Sequence, residues 1–207
     1  DGWKMHLNSY AINLPNDSIL PNQYVVICST TAVSVFSSFG KSIGVTSFPT
    51  LLNSGMILRL IDSDGSLIAL VNYSDKWYGN SMKKDGGWSL EKIDHQNLIE
   101  GKNNWKASES TNGGTPCAVN SVSAINPDIT PPRLLSYEVQ SDRPIKLLFS
   151  EAMDSLMLTY TNSYDIDYGV EHPASVSLLG SEYNTVILSL TDPLEPNIKY
   201  NLCLNQD

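Results

Sequence analysis

The fold of this chain is decided by the stretch Gly86-Gly87-Trp88-Ser89-Leu90-Glu91-Lys92-Ile93-Asp94, followed by Asn104-Trp105-Lys106-Ala107-Ser108 and by Gly113-Gly114-Thr115-Pro116. Paired glycines and a Gly-Thr-Pro segment favour turns, and the short runs between them carry the apolar and polar alternation of strands. The stretch therefore predicts a turn, a strand, a loop and a second strand of an all-β module. It contains no group of residues that is able to carry out a reaction.

Period-two alternation continues through the first half of the chain, beginning at residues 3–7. Two apolar runs, residues 56–61 and 67–73, flank Asp62-Ser63-Asp64-Gly65-Ser66, which is a strong β-hairpin signal. A short helix is predicted within residues 30–39, and no stretch predicts a long helix.

A change of composition near the middle of the chain predicts a domain boundary. Residues 125–132 contain Pro127, Pro131 and Pro132, which remove backbone donors and forbid both a helix and an interior strand. Short β-type runs at the spacing of a sandwich follow the prolines. These runs are residues 134–139, 145–149, 176–179, 186–190 and 200–204.

Length and charge exclude two classes of protein. The 207 residues, 41% of them hydrophobic, suffice for a buried core, but no apolar run approaches the roughly 20 residues that cross a bilayer. The net charge of −9 repels polyphosphates, so no nucleic-acid partner is expected. Residues 131–207 carry four basic and eleven acidic side chains, and therefore most of this excess negative charge.

Four elements of the first half resemble the lamin-tail domain, an immunoglobulin-like β-sandwich that also occurs in bacterial surface and secreted proteins. They are Asp1-Gly2-Trp3, the apolar strand from Tyr24 to Ile27, the hairpin at Asp62–Gly65 with Val71-Asn72-Tyr73 after it, and the series from Trp88 to Pro116. The resemblance implies a lamin-tail-like sandwich over residues 1–125, which we expect to lack its first strands. The family commonly has glycine where this chain has Cys117.

The second half resembles the bacterial Ig-like domain of the S-layer type. The resemblance is carried by Pro131-Pro132, residues 149–154, residues 188–190 and residues 193–200. It implies a second Ig-like sandwich over residues 131–207, truncated at its C-terminal end. The expected fold class is therefore all-β, with two consecutive immunoglobulin-like β-sandwich domains excerpted from a longer protein.

These resemblances imply a non-catalytic structural, adhesive or ligand-presenting module of a larger secreted or cell-surface bacterial protein. Its location would be extracellular or in the cell envelope, and its partner an unknown protein or polysaccharide at the cell surface. The alternatives are an accessory carbohydrate-binding module and the tail domain of an extracellular nuclease or other hydrolase. No enzyme is expected, because the chain has no GxSxG, P-loop or GxGxxG motif and its three histidines lie in different segments.

Two candidate binding sites follow from residue types. Asp62 and Asp64, with Gly65 after them, offer the oxygens and the tight turn that calcium loops use, although hairpin turns prefer the same residues. No other cofactor is expected. Trp77, Tyr78 and Trp88 are candidates for a surface on which a sugar ring stacks, and the alternative is that these rings fill the sandwich core.

Acidic and thiol side chains offer weaker candidates. The carboxylates that could gather at one end of the second domain are Glu151, Asp154, Asp165, Asp167 and Glu171, for which solvated loops are the alternative. The three cysteines, Cys28, Cys117 and Cys203, show no metal-binding spacing, and their pairing is left open by the sequence.

Overall fold

The computed structural model describes residues 2–97, 101–139, 144–153, 155–180 and 182–205. The chain divides into two compact units, Asp1–Ile129 and Thr130–Asp207. Strands outweigh helices in both units, so the chain is mostly β as predicted. No helix of the described segments has the length and apolar character needed to cross a bilayer.

The first unit is built from short strands and two single-turn helices. The strands are β1 (Lys4–Leu7), β2 (Tyr10–Asn13), β3 (Val26–Ser29), β4 (Ser42–Val45), β5 (Gly55–Ile61), β6 (Leu67–Ser74), β7 (Leu90–Lys92) and β8 (Trp105–Ala107). The helices are α1 (Val33–Phe36) and α2 (Ser81–Lys84), accompanied by 3-10 turns at Thr30–Ala32, Asp75–Tyr78 and Lys102–Asn104.

The main sheet of the first unit has the order β2-β1-β5-β6, with antiparallel neighbours. The predicted hairpin is confirmed, because β5 and β6 pair across the turn at residues 62–66. Leu7 and Ile12 from this sheet, with Val45 from β4, form a small buried cluster, so the apolar alternation of β1 and β2 does face a core.

A parallel pair stands beside this sheet. Strands β3 and β4 run in the same direction, which requires a crossover, and the chain makes it through the 3-10 turn and α1. The side chain of Ser29 accepts a hydrogen bond from the Thr31 amide and so starts the helical segment. The predicted short helix is thus present within residues 30–39.

The stretch that decides the fold forms a turn, a strand, a loop and a second strand, as predicted. β7 and β8 pair antiparallel over three residues each, with Leu90 opposite Ala107. Gly86 and Gly87 adopt positive φ values of 133° and 78°, which explains the paired glycines before β7. The amide of Ser89 donates to the Gly113 carbonyl at 2.8 Å, which ties the Gly-Gly-Thr-Pro turn to this strand pair.

The second unit contains two sheets that share one core. Its elements are β9 (Leu134–Val139), β10 (Pro144–Phe149), α3 (Ser155–Thr159), a 3-10 turn (Thr161–Ser163), β11 (Tyr164–Ile166), β12 (Ser175–Leu178), β13 (Thr185–Ser189) and β14 (Leu202–Leu204). One sheet has the order β12-β13-β10-β9, and the other pairs β11 with β14. Phe149, Val186 and Tyr164, from three different strands, are almost fully buried in the common core.

The two units differ in how far they match the expected fold. All five β-type runs predicted in the second half contain strands, whereas β11 and α3 were missed. The first unit distributes its eight strands over separate sheets of four, two and two strands. Two consecutive Ig-like sandwiches are therefore not shown by these small sheets.

Candidate functional site

The first unit contains a cleft of about 510 Å³ whose walls carry four aromatic rings. The rings are those of Tyr73, Tyr78, Trp88 and Trp105. The remaining lining residues are aliphatic, polar or glycine, and comprise Leu51, Leu52, Asn53, Leu58, Val71, Lys84, Gly86, Gly87 and Leu90. A concave, mostly apolar wall with a few polar groups is the usual make-up of a small-molecule site.

Separate segments of the chain bring these aromatic residues together. Tyr73 lies near the end of β6, and Tyr78 ends the 3-10 turn that follows it. The Ser74 side chain accepts a hydrogen bond from the Lys76 amide at the start of this turn. Trp88 follows the glycine pair that leads into β7, and Trp105 begins β8.

The tyrosine hydroxyls of the cleft are fixed by the backbone. Tyr73 donates to the Leu52 carbonyl at 2.7 Å, and Tyr78 donates to the Trp88 carbonyl at 2.9 Å. Burial raises the pKa of both tyrosines above their ordinary value, and the neighbouring Tyr78 adds to the effect at Tyr73. Both hydroxyls therefore stay protonated at neutral pH and hold the ring planes in place.

Two lysines act differently at the cleft. The Lys83 ammonium lies 4.5 Å from the centroid of the Trp88 ring and donates to the Ser108 carbonyl at 2.5 Å, so it covers one face of the indole. Lys84 lines the cleft and forms an ion pair with Asp75 at 3.0 Å. This hydrogen-bonded pair lowers the pKa of Asp75 and raises that of Lys84, and it leaves little net charge at the rim.

The predicted stacking platform is brought together only in part. Tyr78 and Trp88 both line the cleft and are half-buried, but Trp77 is not among its lining residues. The Trp77 ring packs instead against Trp105, with centroids 6.4 Å apart and a tilt of 37°. Sequence reasoning missed Tyr73 and Trp105. The sequence did offer a reason to consider Trp105, because this residue lies within the stretch that predicts the strand pair.

The candidate calcium residues form a hairpin turn. One carboxylate oxygen of Asp62, Oδ1, accepts hydrogen bonds from the amides of Asp64 at 2.9 Å and Ser66 at 2.8 Å. Gly65 has a φ of 90°, as the turn requires. In the part of the chain that the structure describes, no three His, Cys, Asp or Glu side chains gather as a metal site. Calcium at Asp62 and Asp64 stays a prediction.

Among the acidic candidates of the second unit, Asp167 has a clear structural role. Asp167 accepts hydrogen bonds from the backbone amide of Asn201 at 2.8 Å and from its side-chain amide at 2.6 Å, which joins β11 to the segment before β14. Asp154 lies outside the described residues.

All three cysteines are free thiols, with Cys28 buried, Cys117 half-buried and Cys203 exposed. Cys117 has a φ of 57°, in the left-handed region that favours glycine. Cys117 therefore occupies a backbone conformation that glycine adopts more easily. The thiol lies 3.3 Å from the Lys41 carbonyl, to which it donates.

A buried carboxylate was missed by the sequence reasoning. Glu91 on β7 is 4% exposed and accepts hydrogen bonds from the Ser121 amide at 2.8 Å, the Ser121 hydroxyl at 2.6 Å and the Thr115 hydroxyl at 2.7 Å. Burial alone would raise the pKa of Glu91, but these hydrogen bonds outweigh it and hold the pKa below its ordinary value. The carboxylate therefore anchors the loop of residues 115–121 onto the β7–β8 pair.

A second buried polar group lies next to this anchor. The Asn104 side chain is fully buried and donates to the carbonyls of Asp94 at 2.8 Å and Asn97 at 2.9 Å, while its own amide oxygen accepts from the Asp94 amide. The Asp94 carboxylate accepts from the Asn126 amide at 2.9 Å. Side-chain hydrogen bonds therefore add to the β7–β8 ladder in holding this part of the first unit together.

Comparison with known proteins finds one family whose model is similar to a segment of the chain. No curated protein and no solved structure matches the chain. The sequence from residue 123 to residue 207, which includes the whole described second unit, matches the model of a known family. That family is the bacterial Ig-like domain, and the match covers less than half of the chain.

Proposed function

We propose that this chain is a non-catalytic, ligand-presenting module of a larger secreted or cell-surface bacterial protein, and that the aromatic cleft of its first unit binds carbohydrate. The match of residues 123–207 supports the first part, since bacterial Ig-like domains are typically non-catalytic and occur in surface and extracellular proteins. We further propose that residues 1–125 are a lamin-tail-like sandwich, on the motifs quoted above.

The aromatic cleft is the observation that supports carbohydrate as the class of ligand. A pyranose ring has apolar C–H faces that stack on indole and phenol rings, and equatorial hydroxyls that need polar partners. Trp88, Tyr78 and Trp105 supply the rings, while Asn53 and Lys84 supply polar side chains on the same wall. Because Lys84 is neutralised by Asp75, a neutral sugar suits the site better than an acidic one.

The composition of the cleft also favours binding without turnover. Glycoside hydrolysis requires two carboxyl groups that flank the scissile bond. The described lining residues of the cleft include no Asp, Glu, His or Cys. A sugar held there would therefore be retained and released unchanged.

Tryptophan fluorescence gives a direct test. All four tryptophans of the chain, Trp3, Trp77, Trp88 and Trp105, belong to the first unit, and two of them line the cleft. We expect saturable quenching by one member of a panel of neutral polysaccharides. Trp88→Ala should weaken that binding by at least about tenfold, the effect of losing one central aromatic contact.

Two further variants separate binding from folding. Trp3→Phe changes an exposed tryptophan that does not line the cleft, so the affinity should be unchanged. Asn53→Ala removes an exposed polar side chain of the wall and should weaken binding without disturbing the core. Quenching that is absent across the panel, or insensitive to both Trp88→Ala and Asn53→Ala, would refute a sugar site in this cleft.

A further inference from the structure

The inner face of β9 is apolar and uncovered. Its register with β10 places Val139 opposite Ile145, Tyr137 opposite Leu147 and Leu134 opposite Phe149. The three β10 residues are all buried in the core, whereas Tyr137 is 71% exposed, and Leu134 and Val139 are exposed as well. Cross-strand neighbours share one face of a sheet, so the core-facing side of this sheet continues past the part that the second sheet covers.

A register irregularity keeps this face continuous. Leu148 pairs with Ser136 and Phe149 with Leu134, which leaves Leu135 without an opposite residue. An extra residue of this kind is a β-bulge, and it returns the next side chain to the inner face. Leu134 therefore lies on the same face as Tyr137 despite the odd spacing between them.

These side chains form one wall of a groove of about 610 Å³. The other walls include Ile166 of β11, Leu202 of β14 and the loop of residues 194–200. In the described sheet β9 pairs with β10 alone, so its outer edge has free backbone donors and acceptors. Natural edge strands are usually protected by charges, prolines or short length, yet β9 has six residues with Glu138 as its one charged side chain.

A smaller pocket of about 280 Å³ continues the groove and shares Glu195, Ile198 and Tyr200 with it. Asp192 and Tyr168 also line this pocket, and the rings of Tyr168 and Tyr200 meet edge to face at 5.8 Å. Two carboxylates beside two phenol rings attract a cationic side chain through charge and cation–π contact.

Charge distribution decides where the cation should lie. Lys199 lies on the wall of the main groove, so an incoming cation is favoured at the end that carries Asp192. Within the described residues neither Asp192 nor Glu195 forms an ion pair. The segment 131–207, with four basic and eleven acidic side chains, also attracts a basic partner at longer range.

We propose that this groove binds an extended segment of a partner protein, in which apolar side chains alternate with polar ones and an arginine or lysine stands at one end. The segment adds as a strand to the edge of β9, its alternate side chains enter the groove beside Tyr137, and its cation reaches Asp192. Edge addition supplies affinity through backbone bonds, and the pockets supply specificity.

The test uses the full chain and a labelled synthetic peptide in which valine and threonine alternate and an arginine ends the sequence. Fluorescence anisotropy should show saturable binding, and Tyr137→Ser should weaken it by at least about tenfold. Ser136→Ala, on the opposite face of β9, is the matched control and should leave the affinity unchanged. Because Tyr137 is largely exposed, its variant keeps the fold, which circular dichroism verifies.

Neutralising Asp192 tests whether it binds the cationic end of the peptide. Asp192→Asn should weaken binding of the peptide that ends in arginine by about fivefold to tenfold. The affinity for a peptide that ends in glutamine should be unchanged. Equal affinities of the two peptides for the unmodified chain would overturn the cation pocket. Absence of saturable binding by either peptide would overturn the docking site.

Photo-crosslinking identifies the occupant. A benzophenone side chain introduced at position 137 should crosslink to the labelled peptide in preference to a second copy of the chain or another segment of the same chain. A product with the mass of two copies of this chain would assign the groove to self-association. A crosslink within one chain would assign it to the same polypeptide, and either of these two products would overturn a partner strand.

Discussion

Replacing Glu91 tests whether a buried carboxylate holds the first unit together. Glu91→Ala removes the acceptor of three hydrogen bonds, each 2.8 Å or shorter, whose donors come from the exposed Ser121 and the half-buried Thr115. Hydrogen bonds to a charged group contribute about 1.5–3 kcal/mol each, and the Ser121 hydroxyl can turn to Ser108, 3.1 Å away. We therefore expect a loss of about 3–5 kcal/mol in the free energy of unfolding.

Urea unfolding followed by tryptophan fluorescence measures this loss in the first unit alone, because all four tryptophans lie there. At an m-value of about 2 kcal/mol/M the midpoint should fall by about 1.5–2.5 M. Glu109→Gln is the matched control, since the Glu109 ion pair with Lys106 is exposed and should contribute less than about 1 kcal/mol. A loss below about 1 kcal/mol for Glu91→Ala would refute the anchoring role.

The pH dependence of the same variant provides a second check. The folded-state pKa of Glu91 lies below its ordinary value of 4.5, so its stabilisation is present above about pH 4.5 and is lost as the pH falls through the folded-state pKa. Glu91→Gln cannot titrate. The stability difference between the unmodified chain and Glu91→Gln should therefore be constant near pH 7 and shrink below about pH 4.5. A difference that stays constant down to about pH 3 would contradict the low pKa of Glu91.

Three other positions give sharp expectations. Cys117→Gly relieves a left-handed backbone at a φ of 57°, so the unfolding free energy should rise by about 0.5–1 kcal/mol, and a lower urea midpoint would contradict this. Gly113 has a positive φ, and Gly113→Ala would place a methyl group against the Gly87 carbonyl. The free energy of unfolding, again measured in urea, should fall by several times the ~1 kcal/mol of an ordinary glycine replacement. Tyr164→Phe removes a buried hydrogen bond to the Leu158 carbonyl and should lower the second unit's stability by about 1–2 kcal/mol, as followed by far-ultraviolet circular dichroism. Burial raises the pKa of Tyr164 to about 12, so this contribution should persist up to about pH 10 and disappear as the pH rises through 12, a loss that Tyr164→Phe would not show.

Local signals in the sequence were enough to predict the turns and the strands next to them. Gly65, Gly86 and Gly87 all adopt the positive φ that only glycine tolerates freely, so each marks a real turn. The pairing of β3 with β4 was not predictable, because alternation shows that a segment is a strand but not which distant strand it joins. β11 was missed although Tyr164 and Ile166 alternate with Asp165 and Asp167, because these carboxylates were interpreted as parts of solvated loops.

The candidate site was predictable in residue type and not in geometry. Tyr78 and Trp88 line the same cleft, because the single-turn helix α2 and the glycine pair return the chain and the Tyr78 hydroxyl donates to the Trp88 carbonyl. Trp77 is adjacent to Tyr78 in sequence, but neighbouring residues of a tight turn point in different directions, and its ring packs on Trp105. Tyr73 joins the cleft through strand pairing at long range, which no local pattern encodes.

The buried polar groups of the first unit bear on how its sequence can diverge. Its fully buried apolar cluster consists of Leu7, Ile12 and Val45, for which other aliphatic side chains of similar volume substitute at small cost. Glu91 and Asn104 have no such substitutes, because each satisfies several backbone or hydroxyl groups at fixed positions. Over evolutionary time this unit can therefore exchange most of its apolar residues while it keeps a carboxylate and an amide, and its distant relatives are best recognised by those two polar positions.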